Sequence, residues 1–354
     1  MRTDTRLGLQ ANYEVNPQLE LTSQVVLRDH VHGSKPLDSV EWAYVTYRPR
    51  DDVAVRIGRT SPDLFLLTDY RNVGFAYPWV RPNVEFYTRL PIYSINGLDA
   101  AYEWNLGEAR WRIKGFAGGG DAHPTVAAGQ PAAKVSLRSG HGAVLTREEH
   151  GLTLRASVMS AYVSVQNTEA MAQFVDSLNA VQAVPDATVS SQAQALQTQL
   201  GLIPGRSTFS ELGFSYDAAP WLFSGEVGLV TGPVTGRNAK SAYLSVGRRF
   251  DDVTLYTIAG LTKPSNPAAV APDWSALGPG TQYLGQIAAA AANAARIDQH
   301  SLALGLRWEF HPQMALKVQL DQYWNKHYEL DPSAAGGPEA NKFRVGTVQL
   351  DFIF

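Results

Sequence analysis

The sequence predicts an all-β fold, a transmembrane antiparallel β-barrel of about sixteen strands, and three observations support this prediction. Apolar and polar residues alternate over segments of about ten residues, as expected for strands with one face toward lipid and the other toward water. Such segments recur along nearly all of the 354 residues. Their connections alternate between short turns and long loops, which is the arrangement of a barrel with two unlike rims.

The first four strands are expected at the start of the chain. Thr5–Val15 and Gln18–Arg28 alternate between apolar and polar residues and are joined by a turn signal at Asn16-Pro17. Asp38–Pro49 follows as a third strand, although its pattern leaves the facing of its side chains ambiguous. A short turn then leads to a fourth strand that carries Arg56 on its polar side.

The remaining strands are predicted as hairpins of similar length. They span residues 98–104 with 110–114, 138–147 with 151–163, 207–217 with 220–231, 239–250 with 252–262, and 298–310 with 313–325. The chain ends on Asn341–Phe354, in which apolar residues occupy every second position up to the terminal Phe354. Aromatic residues close to the short turns are expected to form a girdle at one membrane interface: Tyr13, Tyr47, Trp104, Trp111, Trp221, Phe250, Phe310 and Phe354.

About fifteen strands are recognised in this way, an odd number, whereas single-chain bacterial barrels have an even number of strands. The first and the last strand both run toward the short-turn rim, so antiparallel closure requires one further strand before Thr5. We therefore expect a truncated first strand, and a parallel pairing of the first and last strands is the alternative. No secretory signal precedes the first strand, which favours a mature or truncated form.

A soluble β-sandwich is the main alternative fold, because its strands alternate as well. Strands of soluble proteins usually run about five or six residues, and a sandwich rarely sustains so many long ones. Charges on the alternate face of nearly every strand are more typical of a water-filled lumen. The sequence therefore favours the barrel.

Composition excludes several classes of function. The chain has no cysteine, so disulfides, thiolate metal sites and cysteine nucleophiles are excluded. A formal net charge of -3 gives no drive toward nucleic acid. No apolar run is long enough for a membrane helix, and the alanine stretch at 288–292 is soon followed by charged residues.

The long connections comprise one early loop and several later ones. Residues 61–92 form a loop rich in aromatic residues and punctuated by proline, which is too apolar to float in water. Two later loops, at 164–206 and 263–297, contain helical patterns and are expected to pack as a cap. The helical patterns lie at 168–184, 190–200 and 286–296.

The closing strand Asn341–Phe354, the short turns on one rim and the early loop at 61–92 together resemble proteobacterial outer-membrane porins. The resemblance covers nearly the whole chain as a pattern, without a sharp motif. It implies a bacterial outer-membrane location, passive diffusion of small hydrophilic solutes, contact with outer-membrane lipid or lipopolysaccharide, a homotrimer and no cofactor. It also implies one barrel domain over residues 1–354, with 61–92 inserted into the lumen as a constriction and with 164–206 and 263–297 extracellular.

Charged residues on the polar strand faces and in the early loop are the candidate pore-lining set. Opposite charges that face each other across a narrow channel of low dielectric constant make a transverse field that orients polar solutes. The wall candidates are Arg56, Asp99, Glu103, Arg110, Arg112, Lys114 and Arg155. The loop candidates are Asp63, Asp69, Arg71, Arg81, Glu85 and Arg89. The wall cations Arg56, Arg110, Arg112, Lys114 and Arg155 form a basic stripe, which favours weak anion selectivity, and full mutual pairing of these charges is the alternative.

Other functions remain open at this point. A substrate-specific channel would place aromatic rings beside the basic residues, and a non-conducting scaffold or adhesin barrel would point bulky apolar groups inward. A barrel hydrolase needs a base oriented toward Ser139 or Ser301, and the sequence indicates none. His30 and His32 lie two apart, but no third metal ligand is evident, so we interpret them as an exposed loop pair.

Overall fold

The structure is a computed structural model that describes residues 5–28, 39–90, 94–122, 134–166, 169–201, 203–232, 238–294, 296–327 and 339–354. Its strands are β1 Arg6–Asn16, β2 Leu19–Arg28, β3 Val40–Arg50, β4 Val53–Thr60, β5 Ile95–Leu106, β6 Ala109–Ala122, β7 Lys134–Glu149, β8 Leu152–Gln166, β9 Gly205–Ala218, β10 Trp221–Thr231, β11 Ala239–Phe250, β12 Val253–Pro264, β13 Asp298–His311, β14 Met314–His327 and β15 Glu339–Phe352. Its helices are α1 Val84–Tyr87, α2 Glu169–Gln182, α3 Ala187–Gln199 and α4 Pro279–Ala294, with 3-10 turns at Gly74–Ala76 and Ser275–Leu277.

The described strands form one sheet of 15, in which each strand pairs with the next along the chain. Every pairing between these described strands is antiparallel. The prediction of an all-β antiparallel barrel fold is thus confirmed, whereas the place expected for a further strand, before Thr5, lies outside the described residues. In β3 the ambiguous facing is resolved, because Tyr44 lies beneath the guanidinium of Arg56 on the inner face.

The outward face of the sheet is apolar and exposed along its whole width. Ile57 of β4 is 63% exposed and Val348 of β15 is 71% exposed, and comparable side chains occur on most strands between them. A soluble protein rarely leaves so large a continuous apolar surface in water. Near the short turns, Trp104 and Trp111 stack with ring centroids 6.1 Å apart, as expected for the aromatic girdle.

The sheet curls around residues 61–90, which we call the inner loop. Arg71 of this loop pairs with Glu41 of β3, and Arg81 pairs with Asp321 of β14. The loop also passes beside Asp351 of β15, because a Cβ added at Gly74 would lie 2.4 Å from that carboxylate. One short segment therefore contacts strands from near both ends of the sheet, which is possible only if the sheet is strongly curved.

The three long helices form a separate layer with its own core. Leu178 of α2, Leu196 of α3 and Ala288 of α4 are buried together with Trp274. The predicted helices are therefore present, but their bounds differ from those expected. The third helix is predicted to begin at residue 286, but it begins at Pro279. Proline is favoured in the first turn of a helix, so Pro279 starts the helix and does not mark a loop.

The other boundary errors have a similar local origin. Helix α3 begins at Ala187 rather than at 190, since the side chain of Asp186 accepts hydrogen bonds from the first free backbone amides, those of Thr188 and Val189. Helix α2 ends at Gln182 rather than at 184. Strands β6 and β7 run longer than the segments 110–114 and 138–147 predicted for them.

Candidate functional site

Aromatic packing fixes the inner loop against one wall of the sheet. Phe65, Phe86 and Tyr87 of the loop are buried against Phe209 of β9 and Tyr243 of β11. The ring centroids of Phe65 and Phe209 are 5.3 Å apart, and those of Phe86 and Tyr243 are 5.6 Å apart. Edge-to-face contacts at such distances add about 0.5–1.5 kcal/mol each to the burial of the rings. The loop is thus bound to the wall over β9–β11 by its own apolar residues.

A buried lysine of β14 holds the middle of the inner loop. The Lys317 ammonium donates hydrogen bonds to the carbonyl oxygens of Gly74, Tyr77 and Trp79 at 2.6, 2.7 and 2.8 Å. It also pairs with Asp351 at 2.9 Å, and its side chain is fully buried. Four oxygen contacts compensate the ammonium for the loss of water. Lys317 therefore acts as an anchor for residues 74–79.

Neighbouring strands add further hydrogen bonds to the same part of the loop. Arg307 of β13 donates to the carbonyl oxygens of Phe75 and Tyr77 at 2.8 and 3.2 Å. The indole of Trp79 donates to the hydroxyl of Ser245 at 2.8 Å. Each of these bonds satisfies a polar group that the loop buries. The path of the loop is consequently specified by polar contacts as well as by packing.

Glu226 of β10 is a second anchor. One of its carboxylate oxygens accepts a hydrogen bond from the Leu66 amide at 2.8 Å. The other accepts from the hydroxyls of Tyr87 and Tyr243 at 2.5 and 2.6 Å. Glu211 of β9 is also fully buried on its side chain and lies 3.9 Å from Arg155. Both acids face the underside of the loop, near its beginning and its end.

The beginning of the loop inserts one carboxylate into the basic stripe. Asp63 pairs with Arg112 at 3.5 Å, with Lys114 at 3.4 Å and with Arg155 through both its side chain and its carbonyl oxygen. Burial acts to raise the pKa of Asp63, but the positive charges of Lys114, Arg155 and Arg112 outweigh it and hold the pKa below its ordinary range. Asp63 is therefore ionised at neutral pH and joins β6 to β8.

The remaining wall candidates form pairs around this centre. Arg56 pairs with Asp99 at 2.8 Å, and Lys114 lies 3.8 Å from the same carboxylate. Glu103 pairs with Arg112 at 3.4 Å and also with Arg110. The structure thus brings together all seven wall residues that the sequence singled out, with Asp63 as their partner from the loop.

Exposure divides this cluster into two layers. Lys114 is 1% exposed on its side chain, and its partners Asp63 and Asp99 are each 2% exposed. The guanidinium groups of Arg56 and Arg112 lie above them, with 18% and 31% of their side chains exposed. Arg110 and Glu103 are 58% and 32% exposed on their side chains, so the exposed layer carries three guanidinium groups and one carboxylate.

The other loop candidates are dispersed. Arg71 and Arg81 serve as contacts to Glu41 and Asp321, as described above, and Arg89 lies at the end of α1, where its side chain donates to Thr88 at 3.5 Å. Glu85 is buried and accepts a hydrogen bond from Gln299 of β13 at 2.6 Å. Asp69 is the exposed acid of the loop, on the side that faces Arg56 and Lys114.

Sequence reasoning missed the residues that fix the loop from the opposite wall. These are Glu211, Glu226, Arg307, Lys317, Asp321 and Asp351. Alternation places each of them on the inner face of its strand, but a period of two does not indicate which inward residues contact a loop distant in sequence. One signal in the sequence could have pointed to two of them, because the strand at 313–325 carries the charged residues Lys317 and Asp321 between strongly apolar positions.

Inward residues at the start of the sheet are not covered by the inner loop. Gln10, Asn12 and Glu14 of β1 are all exposed, whereas the inward residues Ser157 of β8 and Lys317 of β14 are buried. The loop therefore packs mainly on the side of the interior lined by β6–β14, with further contacts to Glu41 of β3 and Thr347 of β15. Among the described strands, the polar inner face of β1 is the one left open.

The weaker chemical candidates do not assemble into a site in the described part of the chain. The Nδ1 atom of His141 lies 3.1 Å from the carbonyl oxygen of Ser139 and so is engaged by the backbone. His300 stacks on Trp324 with ring centroids 5.0 Å apart. Within the ranges that the structure covers, there is no group of three metal-binding side chains. His30 and His32 lie outside the described residues.

The described helices include none that is both long enough and apolar enough to span a membrane.

Comparison with known proteins identifies the fold. No family model matches the sequence, and no curated protein matches it significantly. Solved structures do match: an anion-selective porin from Comamonas acidovorans has a TM-score of 0.54 at 13% identity, over 99% of this chain and 90% of that one. The outer-membrane channel DcaP of Acinetobacter baumannii has a TM-score of 0.53 at 13% identity, over 99% and 85%.

A third match is the trimer form of OmpT, an outer-membrane protein of Vibrio cholerae, with a TM-score of 0.50 at 11% identity over 99% of this chain and 91% of that one. At these identities the comparisons establish the fold alone. The chain has the fold of the outer-membrane β-barrel proteins and porins, as the sequence pattern predicted, and its subgroup is not defined.

Proposed function

We propose that this protein is an outer-membrane porin, a channel for passive diffusion of small hydrophilic solutes with a weak preference for anions. The observation that carries this proposal is the inner loop, which fills one side of the interior and leaves the polar wall at β1 exposed. A loop fixed in this way narrows a channel without closing it. The passage then runs between the exposed edge of the loop, at Asp69, and the polar inner face of β1.

The direction of the proposed selectivity rests on the layered basic cluster. Its most deeply buried carboxylates, on Asp63 and Asp99, are screened from the lumen, while the guanidinium groups of Arg56 and Arg112 remain partly exposed. Fixed charges lining a narrow pore attract counter-ions and raise their local concentration. The Comamonas acidovorans porin, which has this fold, is described as anion-selective, in agreement with the preference for anions proposed here.

Location, assembly and chemistry follow from the same proposal. The exposed apolar outer face is suited to lipid or lipopolysaccharide, with the short turns toward the periplasm and the long loops outside. A homotrimer is supported by the trimeric form of the Vibrio protein with this fold. We propose no enzymatic activity and no cofactor.

A substrate-specific channel is the second candidate, and one feature favours it. Arg56 lies over the ring of Tyr44 at 4.9 Å, and Trp42 lies beside Tyr44 with ring centroids 6.4 Å apart. Aromatic rings next to a partly exposed cation are suited to recognition of a particular solute rather than to free passage.

Single-channel current in a planar bilayer with a salt gradient tests the main proposal. We expect stepwise conductance and a reversal potential that favours anions. Arg112→Glu should move that potential toward cations, and Arg112→Gln should move it less. Arg248→Glu is the matched control, since Arg248 lies on the outward face over Trp221 at 5.1 Å. An absence of conductance from correctly folded protein contradicts the proposal, and an unchanged potential in Arg112→Glu contradicts its account of selectivity.

A further inference from the structure

A cavity of about 200 Å³ lies between the underside of the inner loop and the wall formed by β9–β13. Its roof includes Leu66, Tyr70 and Trp79 of the loop. Its lining extends to Asp217 and Glu309, each of which lies close to a short turn, so the cavity is on the short-turn side of the loop. Its volume corresponds to about six or seven molecules of liquid water, which is the size of a single pyranose ring.

A row of serine hydroxyls crosses the floor of this cavity. Ser215 of β9 and Ser224 of β10 are direct cross-strand partners, and Ser224 is in turn the partner of Ser245 on β11. At the usual strand separation this row is about 10 Å long. Ser245 accepts the hydrogen bond of the Trp79 indole. The hydroxyls of Ser215 and Ser224 make no hydrogen bond with any other described residue, and both line the cavity.

The charges around the cavity are already paired. Arg249 donates two hydrogen bonds to Asp217, at 2.6 and 2.8 Å. Arg307 pairs with Glu309 at 3.2 Å and also donates to the loop carbonyl oxygens. A charged ligand would have to disrupt one of these pairs, whereas a neutral ligand with several hydroxyls leaves them intact.

The roof adds one further group suited to such a ligand. Tyr70, which is 39% exposed, lines the roof, and a phenol hydroxyl is protonated at neutral pH and can donate a hydrogen bond. A ring face with a hydroxyl donor opposite a serine row can hold a flat, polyhydroxylated molecule on both sides.

We propose that this cavity binds a neutral polyhydroxylated solute of the size of a monosaccharide, with Ser215 and Ser224 as its hydrogen-bonding partners on the wall. This inference rests on the proposed channel function and adds a solute class to it. Binding on the periplasmic side of the constriction retains the solute for a time before it leaves the channel.

The test is titration calorimetry of D-glucose into the detergent-solubilised protein, since the cavity lies against β9–β13 and not beside the passage at β1. We expect binding heat, and a dissociation constant that rises about five-fold or more in Ser215→Ala/Ser224→Ala, because two hydrogen bonds are lost. Ser210→Ala is the matched control, since Ser210 alternates with the inward residues of the same strand and lies outside the serine row. Gluconate should bind more weakly than glucose.

The outcomes separate this inference from the channel proposal. An absence of binding heat, or a dissociation constant that the double variant leaves unchanged, overturns the cavity assignment while the channel proposal stands. Tighter binding of gluconate overturns the argument for a neutral ligand. If folded protein binds glucose but does not conduct, the channel proposal fails and the cavity assignment stands.

Discussion

Removing the Lys317 anchor should loosen the middle of the inner loop without unfolding the barrel. Lys317→Met keeps much of the aliphatic volume and deletes the ammonium that contacts three loop carbonyl oxygens and Asp351. Hydrogen bonds from a charged group are worth about 1.5–3 kcal/mol each, and part of this is offset because the cost of burying the charge disappears. We expect a net loss of about 3 kcal/mol in the local free energy of opening.

A loss of that size raises the open population of residues 74–79 on the order of 100-fold, since about 1.4 kcal/mol corresponds to a factor of ten. The segment stays closed most of the time, because Arg307 and the Trp79–Ser245 hydrogen bond remain. Hydrogen exchange with mass spectrometry of peptides from the inner loop measures this change. The open-channel current should also become noisier while its mean stays close to that of the unaltered protein.

Lys342→Met is the control for this experiment. Lys342 is an exposed lysine of β15, so the same substitution removes a charge without removing an anchor. Unchanged exchange of residues 74–79 in Lys317→Met would refute the reasoning. Equal acceleration in both variants would also refute it, since the effect would then be one of charge and not of anchoring.

Three further predictions concern acid, the girdle and the cap. The lowered pKa of Asp63 means that its pairing stabilises the fold above the ordinary aspartate pKa of about 3.9 and is lost only as the pH falls through the lower folded value. Protection of the first inner-loop residues from hydrogen exchange, corrected for the slower intrinsic exchange at lower pH, should therefore stay constant between pH 7 and pH 5; a loss of protection in that window contradicts the assignment. Trp111→Ala breaks the stack with Trp104 and should cost about 0.5–1.5 kcal/mol beyond the lost burial, read from urea unfolding in lipid vesicles; an unchanged midpoint rejects it. Leu178→Ala should destabilise the helical cap by about 2–5 kcal/mol, seen as faster proteolysis of residues 169–201, while the conductance stays unchanged; a lost conductance indicates that the cap supports the barrel.

Alternation predicted much of the fold because a membrane-spanning strand must satisfy two solvents at once. Its outward residues meet lipid and its inward residues meet water, so apolar and polar residues alternate along the strand. The facing of β3 was ambiguous for a local reason: the pairing of β2 with β3 shifts register between Gln24 and Val25, and a bulge of this kind breaks the simple period.

The sequence predicted which residues belong to the candidate site better than it predicted how they are arranged. Arg56 could be grouped with Arg112 and Lys114 because only β5 separates their strands, β4 and β6, and pairing between sequential strands is the default. The partner that brings them together, Asp63, could not be distinguished from Asp69 or Glu85, since the path of a loop depends on contacts distant in sequence. Lys317 and Glu226, which fix that path, therefore became visible only in the structure.

The central claim is that the exposed edge of the inner loop narrows a conducting passage, and one labelling measurement tests it most directly. The chain contains no cysteine, so Asp69→Cys introduces a single reactive thiol at that edge. Addition of a bulky, positively charged methanethiosulfonate during single-channel recording should lower the current in discrete steps and increase the preference for anions. Asp176→Cys, on the exposed face of α2, is the control and should show neither change. A current that persists unaltered after complete labelling at residue 69 would contradict the account, because the open passage would then lie elsewhere.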